Sequence, residues 1–579
     1  MDRYFLGIHE KHADPSVSLV RDGRLLAHVE EERFVRNKHA TNAYPIEALK
    51  YCLNSFDLAI SDIEAVAINF DLPAYKNGEM QRFFDAWNAA WETDANTKAW
   101  QRSLLHQYNP DSLKAHHEYH WRRAFGEQRF PPLVGFAHHR VHAFQAATQS
   151  GLPETLVLTL DGSGDKHCTV VWHYREPDLT PIYEVAIPFS VGWFYAAFTE
   201  YLGFEAYDGE YKVMGLASYG SQDADLRQKL AKVLFPAEDG IGYCLDPSYI
   251  HYGAHSFSKR YTDRLVALMG RAPRCPDEPL EPWHKALAFE VQSALEAAIS
   301  RLALWALDKS GCNHICLSGG VAHNVALNGK LLSLPGVAGV FPHPLCHDGG
   351  AAAGAALLAC QSATGAKPER LTSLALGPEY SDDEIRQALT NTKWRFTKPE
   401  TLAETIAADL ASGKLVGWFQ GRVEAGPRAL GQRSILADPR DVASRDRVNA
   451  AVKYRENWRP FCPSVKADKR QAFFESDCPA SFMTLALPVT DDAKEKMPAV
   501  VHVDDTARVQ LVEQDHQPLY YSLLDAFEAL TGVPALLNTS FNIKGEPIVC
   551  SPLDAIRTFA CTGLDVLAIG PYRVEKTAS

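Results

Sequence analysis

The sequence predicts a mixed α/β chain of two domains, the first of them internally duplicated. Three observations carry this. Residues 3 to 32 read strand, loop, strand, turn, strand, and residues 156 to 190 repeat that order. Glycine-rich turns follow short apolar runs at Asp161-Gly162-Ser163-Gly164, Ser318-Gly319-Gly320 and Asp348-Gly349-Gly350. Gln361 to Glu379 is rich in Gly, Ser, Thr and Pro, and a helix-and-strand pattern restarts near residue 400.

Composition narrows the function classes. The chain has 579 residues, enough for two or three domains, and is 46% hydrophobic and 22% charged, as globular proteins are. A net charge of −13 argues against a general nucleic-acid binder, which needs a basic face. Met1 to Ile8 reads as a first strand and not a signal peptide, and no window reaches 18 apolar residues. Twelve cysteines are scattered without a CxxC pair, which fits reduced thiols and a cytoplasmic location with no membrane attachment.

In chain order, Asp22-Gly23 marks a hairpin between strands, and His12 sits in the loop before it. Glu30 to His39 mixes charges densely and reads as a solvated face. A helix over 46–57 and a strand from Ile63 to Phe70 precede an aromatic, helical insertion at about 74–130. That insertion carries its own i, i+4 pair, His116 and His120, without a following strand-end acid, and reads as a surface helix. Tyr207 to Gly220 reads as a tight loop whose Glu210, Lys212 and Gly215 suit ribose and phosphate contacts. A long amphipathic helix spans about 284–309, and the strand Ile315–Leu317 then runs into Ser318, Gly319, Gly320 and Asn324. Strand, Gly-Gly turn and helix start together put backbone N–H groups on a phosphate. Gly162 and Gly164 likewise let a backbone approach an anion.

Two sets of side chains carry chemistry. His138 and His142 share one face of a helix, Asp161 ends the next strand, and Asp348 completes a metal-ligand set. His139 lies about 100° round the same helix and does not join them. Past residue 400, Arg422, Arg428, Arg433 and Arg440 are followed by Lys453, Arg455, Arg459 and Arg508. So many cations among Gly and Pro in an acidic chain predict a pocket for phosphates. Asn538, Ser540 and Asn542 follow an apolar strand and suit a planar, amide-like group.

These stretches, together with Glu31-Glu32-Arg33-Phe34 and Gly426-Pro427-Arg428-Ala429-Leu430-Gly431, resemble the carbamoyltransferase family of the NodU/CmcH/TobZ type, from nodulation-factor and antibiotic biosynthesis. The resemblance covers nearly the whole chain. It implies an actin-like ATPase (ASKHA, duplicated) domain at 1–365, a linker at 366–399 and a YrdC-like α/β domain at 400–579. It also implies two half-reactions. The C-terminal domain makes carbamoyl adenylate from carbamoyl phosphate and ATP with Mg2+, through Arg428, Lys453, Arg459, Arg508, Asn538, Ser540 and Asn542. The N-terminal domain passes the carbamoyl group to a hydroxyl of a small-molecule natural product.

By the same resemblance the metal ligands are His138, His142, Asp161 and Asp348, the metal is Fe(II), and the nucleotide lies against Gly162, Gly164, Glu210, Lys212, Gly215, Ser318, Gly319, Gly320 and Asn324. His12 is implied as general base, with Lys38 as its electrostatic partner. The loop here reads His12-Ala13-Asp14-Pro15, whereas many relatives have His-Asp-Ala-Ser. A homodimer is the assembly considered. Rival readings are a tRNA threonylcarbamoyl-type enzyme, disfavoured by the acidic charge, and a non-enzymatic nucleotide sensor.

Overall fold

The computed structural model describes residues 3–253, 259–456 and 458–576. The chain forms two compact units. The first comprises 1–9, 18–25 and 56–370, and the second 10–17, 26–55 and 371–579. These compact units are drawn differently from the expected division at 1–365, 366–399 and 400–579. Residues 10–17 and 26–55, His12 and Lys38 among them, pack in the second unit. The expected linker also carries structure, a helix at Asp382–Thr390 and a strand at Arg395–Thr397.

Two five-stranded sheets frame the first unit, residues 16–17 and 26–30 of one of them being counted with the second. One is built from β1 (Tyr4–His9), β2 (Ser16–Arg21), β3 (Arg24–Glu30), β4 (Ile63–Ile68) and β5 (Leu133–Gly135), in the order β3-β2-β1-β4-β5. The other is built from β6 (Glu154–Gly164), β7 (His167–Arg175), β8 (Asp178–Ala186), β9 (His314–Ser318) and β10 (Gly339–Pro342), in the order β10-β9-β6-β7-β8. Taken from the third strand of each, the two orders are the same. β4 lies parallel to β1 and β5, just as β9 lies parallel to β6 and β10. The duplication that is faint in the sequence is thus a repeated topology.

Two helices back these sheets. His138–Ser150 packs on β6 and β9, Ala351–Thr364 packs on β1 and β4, and the helices pack on each other. Ala351 to Cys360 is buried all round, which explains an alanine run without a polar face. Close approach requires small residues here. A Cβ on Gly354 would fall 2.7 Å from the Val141 carbonyl oxygen, and one on Gly7 would overlap the Ala352 carbonyl. The insertion forms helices Leu72–Lys76, Glu79–Ala90, Ala95–Gln107 and Pro110–Phe125. His116 and His120 lie on the last of these, and the long helix spans Pro282–Ser310.

The second unit is centred on an eight-stranded mixed sheet. Its middle strands Val416–Phe419, Arg433–Ala437, Ala535–Ser540 and Cys462–Lys466 lie side by side in that order. Arg395–Thr397 closes one edge by pairing with Tyr572–Glu575. The helices Leu402–Ala411 and Pro518–Thr531 pack together. Among the described residues no helix is long and apolar enough to cross a membrane. All twelve cysteines are free thiols.

Candidate functional site

In the first unit, His138 and His142 stand one turn apart at the start of their helix. Its N-terminus is capped from another element: Asp165, on the turn after β6, accepts from the His138 backbone N–H at 2.9 Å. The Nε2 atoms of both histidines lie 3.6 Å from Asp161 Oδ2 and 3.5 Å from Asp348 Oδ1. Ligand atoms about 2.1 Å from a common ion stand roughly 3.4 Å apart at the tetrahedral angle, so the spacing fits a bound cation. Both Nε2 atoms and Asp348 Oδ1 are also buried without a hydrogen-bond partner, a costly arrangement that a metal would relieve.

Electrostatics point the same way. Burial pulls the His138 imidazole down, but Asp161, Asp348 and Asp165 outweigh it and hold its pKa at about 9. Burial pushes the Asp348 carboxyl up, yet His138, His142 and His9 bring it well below the usual range. His139 is pushed well below the ordinary imidazole value by burial and by His138 and His142. Its Nδ1 lies 2.9 Å from Thr159 Oγ1, away from the cluster.

The glycine-rich turns pack against the candidate metal ligands and their neighbours. Asp161 to Gly164 continues β6, and the turn proper comes at Asp165 and Lys166. A Cβ on Gly164 would fall 2.1 Å from His138 Cδ2, and one on Gly162 2.7 Å from Trp193 Nε1. These glycines make room for side chains. Ser318 Oγ lies 3.0 Å from His142 Nδ1, and Gly320 N donates to Asp161 Oδ2 at 3.2 Å. Gly319, at φ 87°, lets this turn press on the Leu160 carbonyl. Asn324 caps the helix Val325–Leu332 through Leu327 N at 2.9 Å and pairs with Gln292.

Glu210 and Lys212 lie on a helix, Glu210–Ala217, and not in the expected loop. Glu210 accepts from Tyr207 N at 3.0 Å, Lys212 Nζ stands 5.7 Å from the Phe204 ring centroid, and Gly215 is buried. Sequence reasoning missed His9, Asn69 and Tyr207. His9 bears electrostatically on Asp348, as does Asp348 on Tyr207, and the Asn69 amide lies 3.2 Å from His138 Nδ1. His9 and Asn69 sit at the ends of β1 and β4, the one signal that could have found them.

In the second unit, Lys453 is 7% exposed, and its Nζ donates to Ser540 O at 2.5 Å and Asn542 Oδ1 at 2.7 Å. Ser540 Oγ and Asn542 O lie at 3.2 and 3.1 Å. Burial, then Arg455, Arg459 and Lys38, pull its pKa well below the usual lysine value, against oxygens that favour the ammonium. Lys38 thus faces the cation cluster. His12 is in the same unit, its carbonyl accepting from Asn42 N at 3.2 Å.

Several expected phosphate cations are engaged elsewhere. Arg422 donates to the Gly377, Leu376 and Leu26 carbonyls, and Arg433 to Gln420 and Gly421. Arg440 pairs with Asp438, and Arg508 Nε donates to Cys462 Sγ at 2.9 Å. Asn538, 1% exposed, sits within the sheet and donates to the Ala429 carbonyl, so it supports the Gly426–Gly431 loop. Arg428 is half-buried on that loop.

The loop itself is held by side chains at Gly426, Ala429, Leu430 and Gly431. Glu30 accepts from Gly426 N at 2.6 Å, and Arg33 donates to Gly426 O at 2.7 Å. Glu424 accepts from Leu430 N, Gln510 and Gln517 donate to Leu430 O, and Trp418 Nε1 donates to Gly431 O. The charged run Glu30 to Arg33 is accordingly buried, 2–9% exposed, and not a solvated face.

Comparison with known proteins gives these sites a setting. The family model for the carbamoyltransferase N-terminus matches residues 4–357, and that for the carbamoyltransferase C-terminus matches 407–576. Nodulation protein NolNO of Sinorhizobium fredii is 36% identical, over 98% of this chain and 79% of its own. The 3'-hydroxymethylcephem-O-carbamoyltransferase of Amycolatopsis lactamdurans is 34% identical, over 44% of this chain and 47% of its own. Among solved structures, component A of the (R)-2-hydroxyglutaryl-CoA dehydratase of Acidaminococcus fermentans is similar at TM-score 0.34 and 12% identity, covering 62% of this chain and 99% of that one. With both of its sites lying inside the matched segments, the chain belongs to the carbamoyltransferase family and is a transferase enzyme.

Proposed function

We propose that the chain is an ATP-dependent O-carbamoyltransferase working in two half-reactions, its first unit of the actin-like ATPase type and its second of the YrdC-like type. In the second unit carbamoyl phosphate gives up inorganic phosphate to water. The carbamate oxygen so formed attacks the α-phosphorus of ATP, which is bound with Mg2+, and pyrophosphate leaves. In the transfer step an acceptor hydroxyl adds to the carbamoyl carbon, the bond to AMP breaks, and the hydroxyl proton passes to His12. The acceptor is a small molecule, in keeping with the name of the cephem-acting relative.

Lys453 is the observation that carries this reading. A lysine so buried, amid the charges of Arg455, Arg459 and Lys38, is stabilised by a multiply charged anion more than by any neutral ligand. Attack of one anion on another requires such screening. Ser540 and Asn542, already on its Nζ, orient the carbamoyl group, and Arg428, on its braced loop, meets the phosphates. Arg459 and Arg508 are assigned to the same set.

In the first unit His138, His142, Asp161 and Asp348 would hold a divalent metal. The two-nitrogen, two-oxygen set suits Fe(II), Mn(II) or Zn(II), and the family resemblance favours Fe(II). When bound, the ion supplies Lewis-acid polarisation. Glu210, Lys212 and Gly215 are proposed to meet the nucleotide part of the adenylate.

The test is pyrophosphate exchange into ATP that depends on carbamoyl phosphate, followed by acceptor-dependent AMP release. His12→Ala should keep the exchange and stop the transfer. Exchange indifferent to carbamoyl phosphate would sink the proposal, and normal transfer by His12→Ala would remove His12 from its role.

A further inference from the structure

Each imidazole of the metal centre turns its Nε2 towards Asp161 and Asp348, and its Nδ1 towards a neutral polar side chain. His138 Nδ1 is 3.2 Å from the Asn69 amide, and His142 Nδ1 is 3.0 Å from Ser318 Oγ. Asn69 is 1% exposed and Ser318 fully buried, so water does not replace either. Asn69 follows β4 and Ser318 ends β9, the strands that lie parallel to and beside the central strand of each sheet.

We infer that Asn69 and Ser318 are positioning residues that fix the tautomers of His138 and His142, so that both Nε2 lone pairs face a divalent cation. The inference rests on the metal-centre reading above. A neutral imidazole carries one N–H, and a cation needs the lone pair of the other nitrogen. With Nε2 on the cation, the proton must sit on Nδ1 and must find an acceptor. Ser318 Oγ supplies one for His142. Asn69 turns its Nδ2 to His138 here, and rotation of the amide about its last torsion brings Oδ1 to the same place. Without these acceptors the buried Nδ1–H costs a desolvation penalty, and each ring is free to present the wrong nitrogen.

Asp161 is fixed in the same way. Gly162 N donates to its Oδ1 at 2.7 Å and Gly320 N to its Oδ2 at 3.2 Å. The turn Ser318-Gly319-Gly320 therefore serves two of the four ligands at once, Ser318 for His142 and Gly320 for Asp161. Outer-shell partners of this kind typically change metal affinity about 10–100-fold when lost.

The experiment uses the full chain stripped with a chelator and reloaded with Co(II), its affinity read by chelator competition. In water the Co(II)-loaded chain should show two strongly shifted, exchangeable proton resonances, one for each ligating imidazole Nδ1–H. Ser318→Ala and Asn69→Leu should each weaken Co(II) binding about 10–100-fold and each lose one resonance. Ser318→Thr and Asn69→Asp, which keep an acceptor in place and guard against misfolding, should retain both resonances. If the wild type takes up no Co(II), the metal-centre reading fails and takes the inference with it. If it does, and Ser318→Ala and Asn69→Leu keep wild-type affinity and both resonances, the positioning role alone is overturned. Loss of a resonance in Asn69→Asp or Ser318→Thr would overturn it as well.

Discussion

Two glycine-containing turns, Ser318-Gly319-Gly320 in the first unit and Gly426 to Gly431 in the second unit, handle their backbones differently. The first turn directs its Gly320 N–H at a carboxylate of its own chain and its serine at a histidine. The other has its peptides gripped by Glu30, Arg33, Glu424, Gln510, Gln517 and Trp418, and presents Arg428 from a braced frame. A glycine-rich turn is an anion cradle only if its donors are not already claimed. Here one turn orients the candidate metal ligands and the other stiffens a cationic loop.

The largest expected effect tests the cationic side. Lys453→Met should lower carbamoyl-phosphate-dependent pyrophosphate exchange by roughly 1,000-fold, the scale of a lost charge-stabilising donor. Retained exchange would detach the second unit from adenylate formation. On the other side, His142→Ala should abolish stoichiometric metal binding and carbamoyl transfer while exchange persists, as measured by metal analysis alongside the two assays. Loss of exchange as well would mean that the sites do not divide the chemistry as proposed.

Next comes the brace. Glu30→Ala takes one carboxylate from the buried Arg33 guanidinium, which keeps Glu32, leaves the Gly426 N–H without its acceptor, and should destabilise the second unit by about 1–3 kcal/mol in denaturant titrations. Glu30→Gln, which can still accept from Gly426 N, should cost less. A Glu30→Ala protein of wild-type stability would show that the loop is held without it.

The smallest effect concerns protons. The folded pKa of Lys453 is depressed, so between that value and about 10.5 the unliganded protein holds fewer protons there than the unfolded chain, and stability rises with pH in that window. A phosphate-bearing ligand raises the pKa again. Binding of ATP should then be accompanied by uptake of up to about one proton in the same window, seen by calorimetry in buffers of different ionisation enthalpy. Lys453→Met should abolish that uptake, and uptake that survives it would assign the proton elsewhere.

How much of this is legible in the sequence depends on how local each cause is. The i, i+4 histidines follow from helix geometry and are readable directly, whereas Asp161, read as a strand end, lies within β6. Lys453, Ser540 and Asn542 stand out by residue type, and the structure brings all three together. Glu30 to Arg33 mislead because their partner Gly426 lies some 400 residues away, and charge patterning sees only neighbours. Gly162 and Gly164 stand out by residue type, but the rings of Trp193 and His138 that a Cβ at each would strike are named by no local pattern.

The chain crosses between its two units at residues 9/10, 17/18, 25/26, 55/56 and 370/371. During synthesis, residues 26–55 leave the ribosome long before the loop at Gly426 exists to receive their charges. The second unit is thus finished last by its earliest piece. A cut near residue 370 would not release two working modules, because the C-terminal fragment would lack its Glu30 and Arg33 clamp. The two proposed half-reactions are tied into a single gene by topology, and evolution could not shuffle their units as independent cassettes without rebuilding that clamp.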